Sequence, residues 1–172
     1  MITKRKLVSP AIALVALAAF AGVASAAPYG LQKFGDGDVT ITATGAKLVN
    51  QGSEYSGVYV KSKGLNNKPL GDIHVSFKSI GFVAGGAPRF SIPLSTGDGV
   101  YAFLDVNNCG NIGVVSSDDD TCRVFINTGE SFDNWDAMVA QNPSWRVSKT
   151  AIPFIIADGT PGSYEVTDID LR

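Results

Sequence analysis

The sequence is poor in the residues on which much enzyme chemistry depends. It has one histidine, His74, and two cysteines, so sites that hold zinc through several histidines are excluded. No Gly-x-Ser-x-Gly motif supports a nucleophilic serine, and no glycine-rich phosphate loop precedes a helix. Only three glutamates are present, and most aspartates lie in turns, where backbone geometry favours them. Nothing places an acid beside a base, so hydrolase activity is a hypothesis without a motif.

A second apolar run is also lacking, and the one that is present lies near the start of the chain. The basic residues 4–6 precede an apolar stretch over residues 7–23, and Ala24-Ser25-Ala26 follows. This order is typical of a cleavable signal peptide. A retained membrane helix is the alternative, but the stretch is short and rich in alanine. We therefore predict a signal peptide over residues 1–26, a single domain over 27–172, and a secreted, extracellular protein with no membrane attachment after cleavage.

Clustered positive charge is absent from the predicted mature chain. Three of the 14 Lys and Arg residues lie in the leader, which leaves 11 against 16 Asp and Glu residues, a net charge near −5. Nucleic acids and anionic membrane surfaces both require clustered Lys and Arg, so neither is an expected partner. The acidic charge itself names no partner; the candidate partners, a glycan or a surface protein, come from the aromatic residues and the family resemblance given below.

Cys109 and Cys122 are predicted to form one disulfide, because an isolated pair in an oxidising compartment is most often bridged. A redox pair is the alternative, but it requires a Cys-x-x-Cys spacing that is absent. The bridge closes a short loop that contains the run Asp118 to Asp120.

The mature sequence has the pattern of strands separated by glycine-rich turns. Apolar and polar residues alternate over 39–44, 58–60, 90–94, 122–126 and 164–171, whereas 100–106 and 152–157 are apolar on both faces. We predict a shift of phase near Ile80 and Phe82, a bulge near Thr167 and Asp168, and an edge position for the strand that contains Pro93.

One segment, residues 131–141, has helical spacing instead, with Ser131 as its expected N-cap and Asn142-Pro143 as its end. Together these patterns predict an all-β, jelly-roll-like antiparallel sandwich with one short helix.

Aromatic residues are candidates for ligand binding, since aromatic rings stack on the apolar faces of sugars. Tyr55 lies in a polar loop and is expected to be exposed, and Tyr59 follows in the next strand. Trp145 is a third candidate, although its alternation with Val147 also suits a core residue. His74 is expected to be an ordinary strand residue opposite Ile73.

Two stretches, residues 52–60 and 164–171, resemble the first and last strands of jelly-roll modules related to carbohydrate-binding modules. The resemblance implies sugar binding without catalysis, with no required cofactor. It also implies a structural calcium, held here by Asp168 or Asp170 of the last strand and by Asp36 or Asp38 near the N-terminus. The middle of the chain is similar to uncharacterised secreted bacterial proteins. An envelope structural protein and an unrecognised hydrolase are the alternative functions.

Overall fold

A computed structural model describes residues 30–172 other than 82, 84 and 112. The predicted signal peptide therefore lies outside the described residues. No helix in the described part is long and apolar enough to span a membrane. The elements in chain order are β1 (Gly30–Gly35), β2 (Asp38–Ile41), β3 (Gly45–Asn50), β4 (Tyr55–Lys61), β5 (Val75–Gly81), β6 (Arg89–Pro93), β7 (Tyr101–Asp105), β8 (Val114–Ser116), β9 (Val124–Ile126), β10 (Ser131–Phe132), α1 (Trp135–Gln141), β11 (Phe154–Asp158) and β12 (Gly162–Leu171).

The strands form two antiparallel sheets packed as a sandwich, which confirms the predicted fold class. The order in the seven-stranded sheet is β1-β4-β11-β6-β7-β9-β10, and in the five-stranded sheet it is β2-β3-β12-β5-β8. The central eight strands, β4-β11-β6-β7 facing β3-β12-β5-β8, have the order of a jelly roll, in which the chain repeatedly crosses from one sheet to the other.

The core lies between the sheets and is built mainly from alternate residues of the central strands. Val58 and Val60 of β4, and Ala102 and Leu104 of β7, are fully buried. Each is flanked by residues that point to the outer face, as period-two patterning requires. The side chains of α1 that pack inward are Trp135 and Met138, and the indole N–H of Trp135 donates to the carbonyl of Leu70 at 3.2 Å.

The predicted disulfide is present between Cys109 and Cys122, whose Cα atoms are 3.9 Å apart. The predicted bulge in the last strand is also confirmed. The pairing of β12 with β5 shifts between Thr167 and Asp170, and Asp168 has a φ of 48°, in the left-handed region.

Four local predictions are wrong. Ser131 lies in β10 and does not cap α1, because the Asn134 side chain accepts from the Ala137 amide at 2.7 Å and begins the helix. Ile80 is 52% exposed, since β5 keeps one phase and its irregularity lies in β12, and Phe82 lies outside the described residues. Pro93 lies in an internal strand, where it ends β6 opposite Tyr101 of β7. Strand β2 also ends at Ile41, earlier than the predicted 44.

Candidate functional site

The outer face of the seven-stranded sheet is unusually aromatic. The register of five neighbouring strands aligns one outward residue from each into a row across the sheet, namely Tyr59, Phe154, Ser91, Phe103 and Phe125. Antiparallel sheets with one face on the core commonly carry polar residues on the other. The aromatic row therefore requires a reason other than packing of the core.

Six rings on this face contact one another and are called the aromatic face here. They are Phe34, Tyr55, Tyr59, Tyr101, Phe103 and Phe154. Phe34 lies at the centre of one half, with its ring centroid 4.4 Å from that of Tyr59 and 5.4 Å from that of Phe154. Tyr101 continues the cluster, 5.3 Å from Phe154 in an edge-on arrangement. Such tilted and edge-on pairs are the favoured geometries of aromatic contacts.

Gly57 gives Phe34 its position on the sheet. It pairs with Phe34 across β1 and β4, and a Cβ atom built at Gly57 would lie 2.3 Å from the Phe34 ring. The ring therefore lies over the backbone of β4, in space that a side chain at residue 57 would fill. This close approach is a reason for glycine at the middle of a strand, where it is otherwise unfavourable.

The aromatic face encloses a shallow depression of about 430 Å³. Five of the six rings, all but Phe103, line it, together with residues of the 150–156 segment that runs into β11. Tyr55 at its rim is 45% exposed and Ile152 is 39% exposed, while the remaining rings are half-buried. The depression is therefore open to solvent and offers ring surface to a ligand.

Three charged residues border the aromatic face and are called the ionic end. Arg89 of β6 lies opposite Asp105 of β7 and forms an ion pair with Asp158 of β11. The Arg89 guanidinium also lies over the Phe103 ring, 4.9 Å from its centroid, which is within the range of a cation–π contact. The guanidinium is thus paired with the Asp158 carboxylate and packed against an aromatic ring, with Asp105 opposite it on the neighbouring strand.

Burial of Asp105 raises its pKa to about 6, and this effect exceeds the opposing attraction of Arg89. The negative charge of Asp158 raises the pKa further, while a hydrogen bond from the Asn108 side chain, 3.1 Å from the carboxylate, lowers it. Asp105 therefore changes its charge in mildly acidic solution.

The outer face of the five-stranded sheet is different in kind. Its central strands expose charged residues at outward positions, among them Lys47 of β3, Lys78 of β5 and Glu165 of β12. This is the polar surface expected of a solvated sheet. The contrast shows that the aromatic outer face is a property of one sheet and not of the sandwich as a whole.

The structure brings two of the three predicted aromatic residues together. Tyr55 and Tyr59 both belong to the aromatic face, and each contacts Phe34. Trp145 lies elsewhere, where its ring contacts Phe132 of β10, the strand at the opposite edge of the sheet from β1. Trp145 is half-buried, so the structure places it apart from the other two candidates.

The four predicted calcium ligands do not come together. Asp38 pairs with Val49 at one end of β3, whereas Thr167, which precedes Asp168, pairs with Gly45 at the other. These ends are about 13 Å apart for a strand of this length. The described ranges contain no group of three or more His, Cys, Asp or Glu residues that could hold a metal.

Each of three candidate aspartates also has a partner within the protein. The Asp36 carboxylate accepts from the Tyr55 amide at 3.0 Å. Asp168 lies 2.7 Å from the Lys78 ammonium group, and Asp170 forms an ion pair with Arg172. The residues therefore do not fit the single calcium site that the resemblance implies, and calcium binding stays a prediction.

His74 has more partners than an ordinary strand residue. Its Nδ1 lies 3.1 Å from the Asp118 carboxylate, and its Nε2 lies 3.3 Å from the Ser76 hydroxyl. The contacts from Ser76 to His74 and from His74 to Asp118 resemble those of a nucleophilic serine, its general base and the acid that orients the base. However, the Asp170 carboxylate is 3.5 Å from the same Nε2, and a negative charge there would oppose an oxyanion at Ser76. The cluster is better described as a set of polar contacts that joins β5, β12 and the 117–120 loop.

Sequence reasoning missed most of the aromatic face and the whole ionic end, including Phe34, Phe154, Arg89 and Asp158. A signal was available in the two segments that are apolar on both faces, around Tyr101 to Asp105 and Phe154 to Asp158. Their inward residues are aliphatic and their outward residues are largely aromatic, a division that predicts an apolar outer surface. Comparisons with protein family models, with curated proteins and with solved structures find no match to this chain.

Proposed function

We propose that this chain is a secreted, non-catalytic binding module, and that it binds an extracellular glycan on the aromatic face. The observation that carries the proposal is the set of six contacting rings on the outer face of one sheet. Aromatic rings offer large, rigid contact area and can stack on the apolar faces of sugar rings. Tyr55 and Tyr59 add hydroxyl groups that can hydrogen-bond to a sugar.

Secretion is supported by two independent features. The leader over residues 1–26 has the order of a signal peptide, and the Cys109–Cys122 disulfide suits an oxidising compartment. Expression of the full chain with its leader, followed by mass spectrometry of the medium, tests this part. We expect a protein that begins at Ala27. An intact chain found only in the membrane fraction would contradict it.

Affinity electrophoresis in gels that contain soluble polysaccharides tests glycan binding. The panel consists of β-glucan, mannan, xylan, dextran, polygalacturonate and alginate, and at least one of these polysaccharides should retard the wild type. Tyr59→Ala and Phe154→Ala should each weaken binding about tenfold, which corresponds to about 1.4 kcal/mol. Phe132→Ala is a matched control, because Phe132 is a half-buried aromatic residue at the opposite edge of the same sheet.

Two results would contradict the proposal. One is a wild-type protein that no polysaccharide retards. The other is an equal loss of binding in Phe132→Ala and Phe154→Ala, which would place the ligand away from the aromatic face. Urea unfolding of each variant separates lost binding from lost folding.

A protein-binding surface is the second candidate function, and the apolar residues beside the rings favour it. Ile152 is 39% exposed and Ile156 also lines the depression, and neither can hydrogen-bond to a sugar through its side chain. Exposed apolar patches often mark protein contacts. Self-association that Phe154→Ala abolishes in analytical ultracentrifugation, with no retardation by any glycan, would favour this function.

A further inference from the structure

We infer that the glycan is uncharged, that it lies as an extended chain across the strands of the seven-stranded sheet, and that its hydroxyl groups bind the Arg89–Asp158 pair. This inference rests on the proposed function and adds the class of ligand and its orientation. Three features of the described residues support it, namely the charges of the face, the fixed position of Arg89 and the direction of the aromatic row.

Arg89, the cation that contacts the aromatic face, is already paired with Asp158, and Lys61 is exposed at the margin of the face, two residues after Tyr59 in β4. The Arg89 guanidinium lies 4.9 Å from the centroid of Phe103 in the aromatic face, and that of Arg123 lies 5.4 Å from the centroid of Phe125 at the far end of the aromatic row. The predicted mature chain is acidic overall, with a net charge near −5. Electrostatic complementarity therefore disfavours a polyanion and permits an uncharged ligand.

Arg89 is held so that it cannot turn freely towards an acidic group of a ligand. Its guanidinium pairs with Asp158 on one side and packs on Phe103 below. The side chains of Arg89 and Asp158 are 24% and 31% exposed, so the pair still reaches solvent. A guanidinium paired with a carboxylate presents donors and acceptors side by side. Sugar hydroxyl groups, which donate and accept, match this arrangement.

The aromatic row runs perpendicular to the strands, from Tyr59 of β4 to Phe125 of β9. Four steps between neighbouring strands separate these residues, a length of about 19 Å at the usual strand spacing. The row is continuous in register, and Ser91 at its middle is fully buried, so the accessible ring surface lies on either side of it. A ligand that uses the whole row must be a chain of several sugar rings and not a single sugar.

Two comparisons test the inference on the folded, disulfide-bonded protein. The first is retardation by neutral polymers (β-glucan, mannan, xylan and dextran) against acidic polymers (polygalacturonate and alginate). We expect at least tenfold stronger retardation by one neutral polymer than by either acidic polymer. The second is calorimetric titration with the monosaccharide and a series of oligosaccharides of that neutral polymer. We expect affinity to rise at least tenfold from the single sugar to the longer chains.

Variants of the ion pair give the sharpest test. Asp158→Asn removes the carboxylate that pairs with Arg89. We therefore expect weaker binding of the neutral polymer and at least fivefold stronger retardation by polygalacturonate. Arg89→Gln should lose binding of the neutral polymer and should not gain binding of polygalacturonate. This variant tests the role of the ion pair if Asp158→Asn fails to fold. Glu165→Gln is the control for lost charge, since Glu165 is exposed on the other sheet.

The outcomes separate the inference from the proposed function. Wild-type protein that binds acidic polymers as well as neutral ones would overturn the inference and leave glycan binding intact. Equal affinity for the monosaccharide and the longest oligosaccharide would overturn the inference that the ligand is an extended chain and would leave glycan binding intact. A wild type that binds no polymer would overturn both.

Discussion

The buried carboxyl group of Asp105 gives a prediction of how stability depends on pH. Burial raises its pKa to about 6 from an ordinary value of 3.8, so the folded state holds this proton more tightly than the unfolded state. Stability therefore falls as the pH rises through this range. Because one pKa unit corresponds to about 1.36 kcal/mol, the whole effect is about 3 kcal/mol, present below pH 3.8 and lost above pH 6.

Asp105→Asn removes this titration while it keeps the size of the side chain. Between pH 4 and pH 7.5, the free energy of unfolding of the variant minus that of the wild type should rise by about 2.5 kcal/mol. Urea unfolding at several pH values measures this difference, with Trp135 fluorescence as the probe, because Trp135 is buried in α1. Asp98→Asn, at an exposed turn, is the control for replacing an aspartate with asparagine.

The sign of the trend decides which force dominates at Asp105. If the attraction of Arg89 exceeded the cost of burial, the pKa would lie below its ordinary value and the difference would fall as the pH rises. A flat difference across the range would mean that Asp105 is solvated in the folded state. Either result would refute the description of Asp105 as a carboxyl group whose pKa is set mainly by burial beside the Arg89–Asp158 pair.

The remaining predictions concern folding, the aromatic face and metal binding. Replacing both Cys109 and Cys122 with alanine should lower the free energy of unfolding by about 3 kcal/mol, and reduced wild type should lose a similar amount in urea unfolding. Gly57→Ala should displace the Phe34 ring and lower the free energy of unfolding by about 1–3 kcal/mol. Gly30→Ala is the control on the same pair of strands and should lower it much less, because the nearest atom to a Cβ at residue 30 is 3.8 Å away. Equal losses for the two variants in urea unfolding would disprove the close approach of Phe34 to Gly57. Leu104→Ala should cost about 2–5 kcal/mol, because Leu104 is fully buried. Because Asp38 and Asp168 lie at opposite ends of β3, we expect EDTA to leave the melting temperature unchanged, and a fall on chelation would restore the predicted calcium site.

The sandwich could be predicted from the sequence because its core obeys a local rule. Val58 and Val60, or Phe90 and Ile92, alternate with outward residues, and both pairs are buried as the alternation requires. Where the local signal was ambiguous, tertiary context decided. Ile80 appeared to belong to a new inward phase, but the pairing of β5 with β12 keeps Phe77 inward and leaves Ile80 exposed.

The candidate site could not be predicted in the same way, because it depends on register between distant strands. Phe34, Tyr59 and Phe154 meet only when β1 and β11 both pair with β4. No local pattern specifies that order of strands, since it follows from the crossing of the chain between two sheets. The ionic end has the same origin, as Arg89 and Asp158 are 69 residues apart in the sequence.

The aromatic face is difficult to explain by folding alone. The inward residues of β7 and β11 already fill the core, and Ala102, Leu104, Ile155 and Ala157 are fully buried. The outward residues of the same strands could be polar, as they are on the opposite sheet, without any loss of core packing. Aromatic side chains left half-exposed there forgo part of the free energy that full burial would give. Such a surface recovers that free energy when a ligand covers it, and its position beside Arg89 and Asp158 supplies the hydrogen-bonding groups that would give such a contact its specificity.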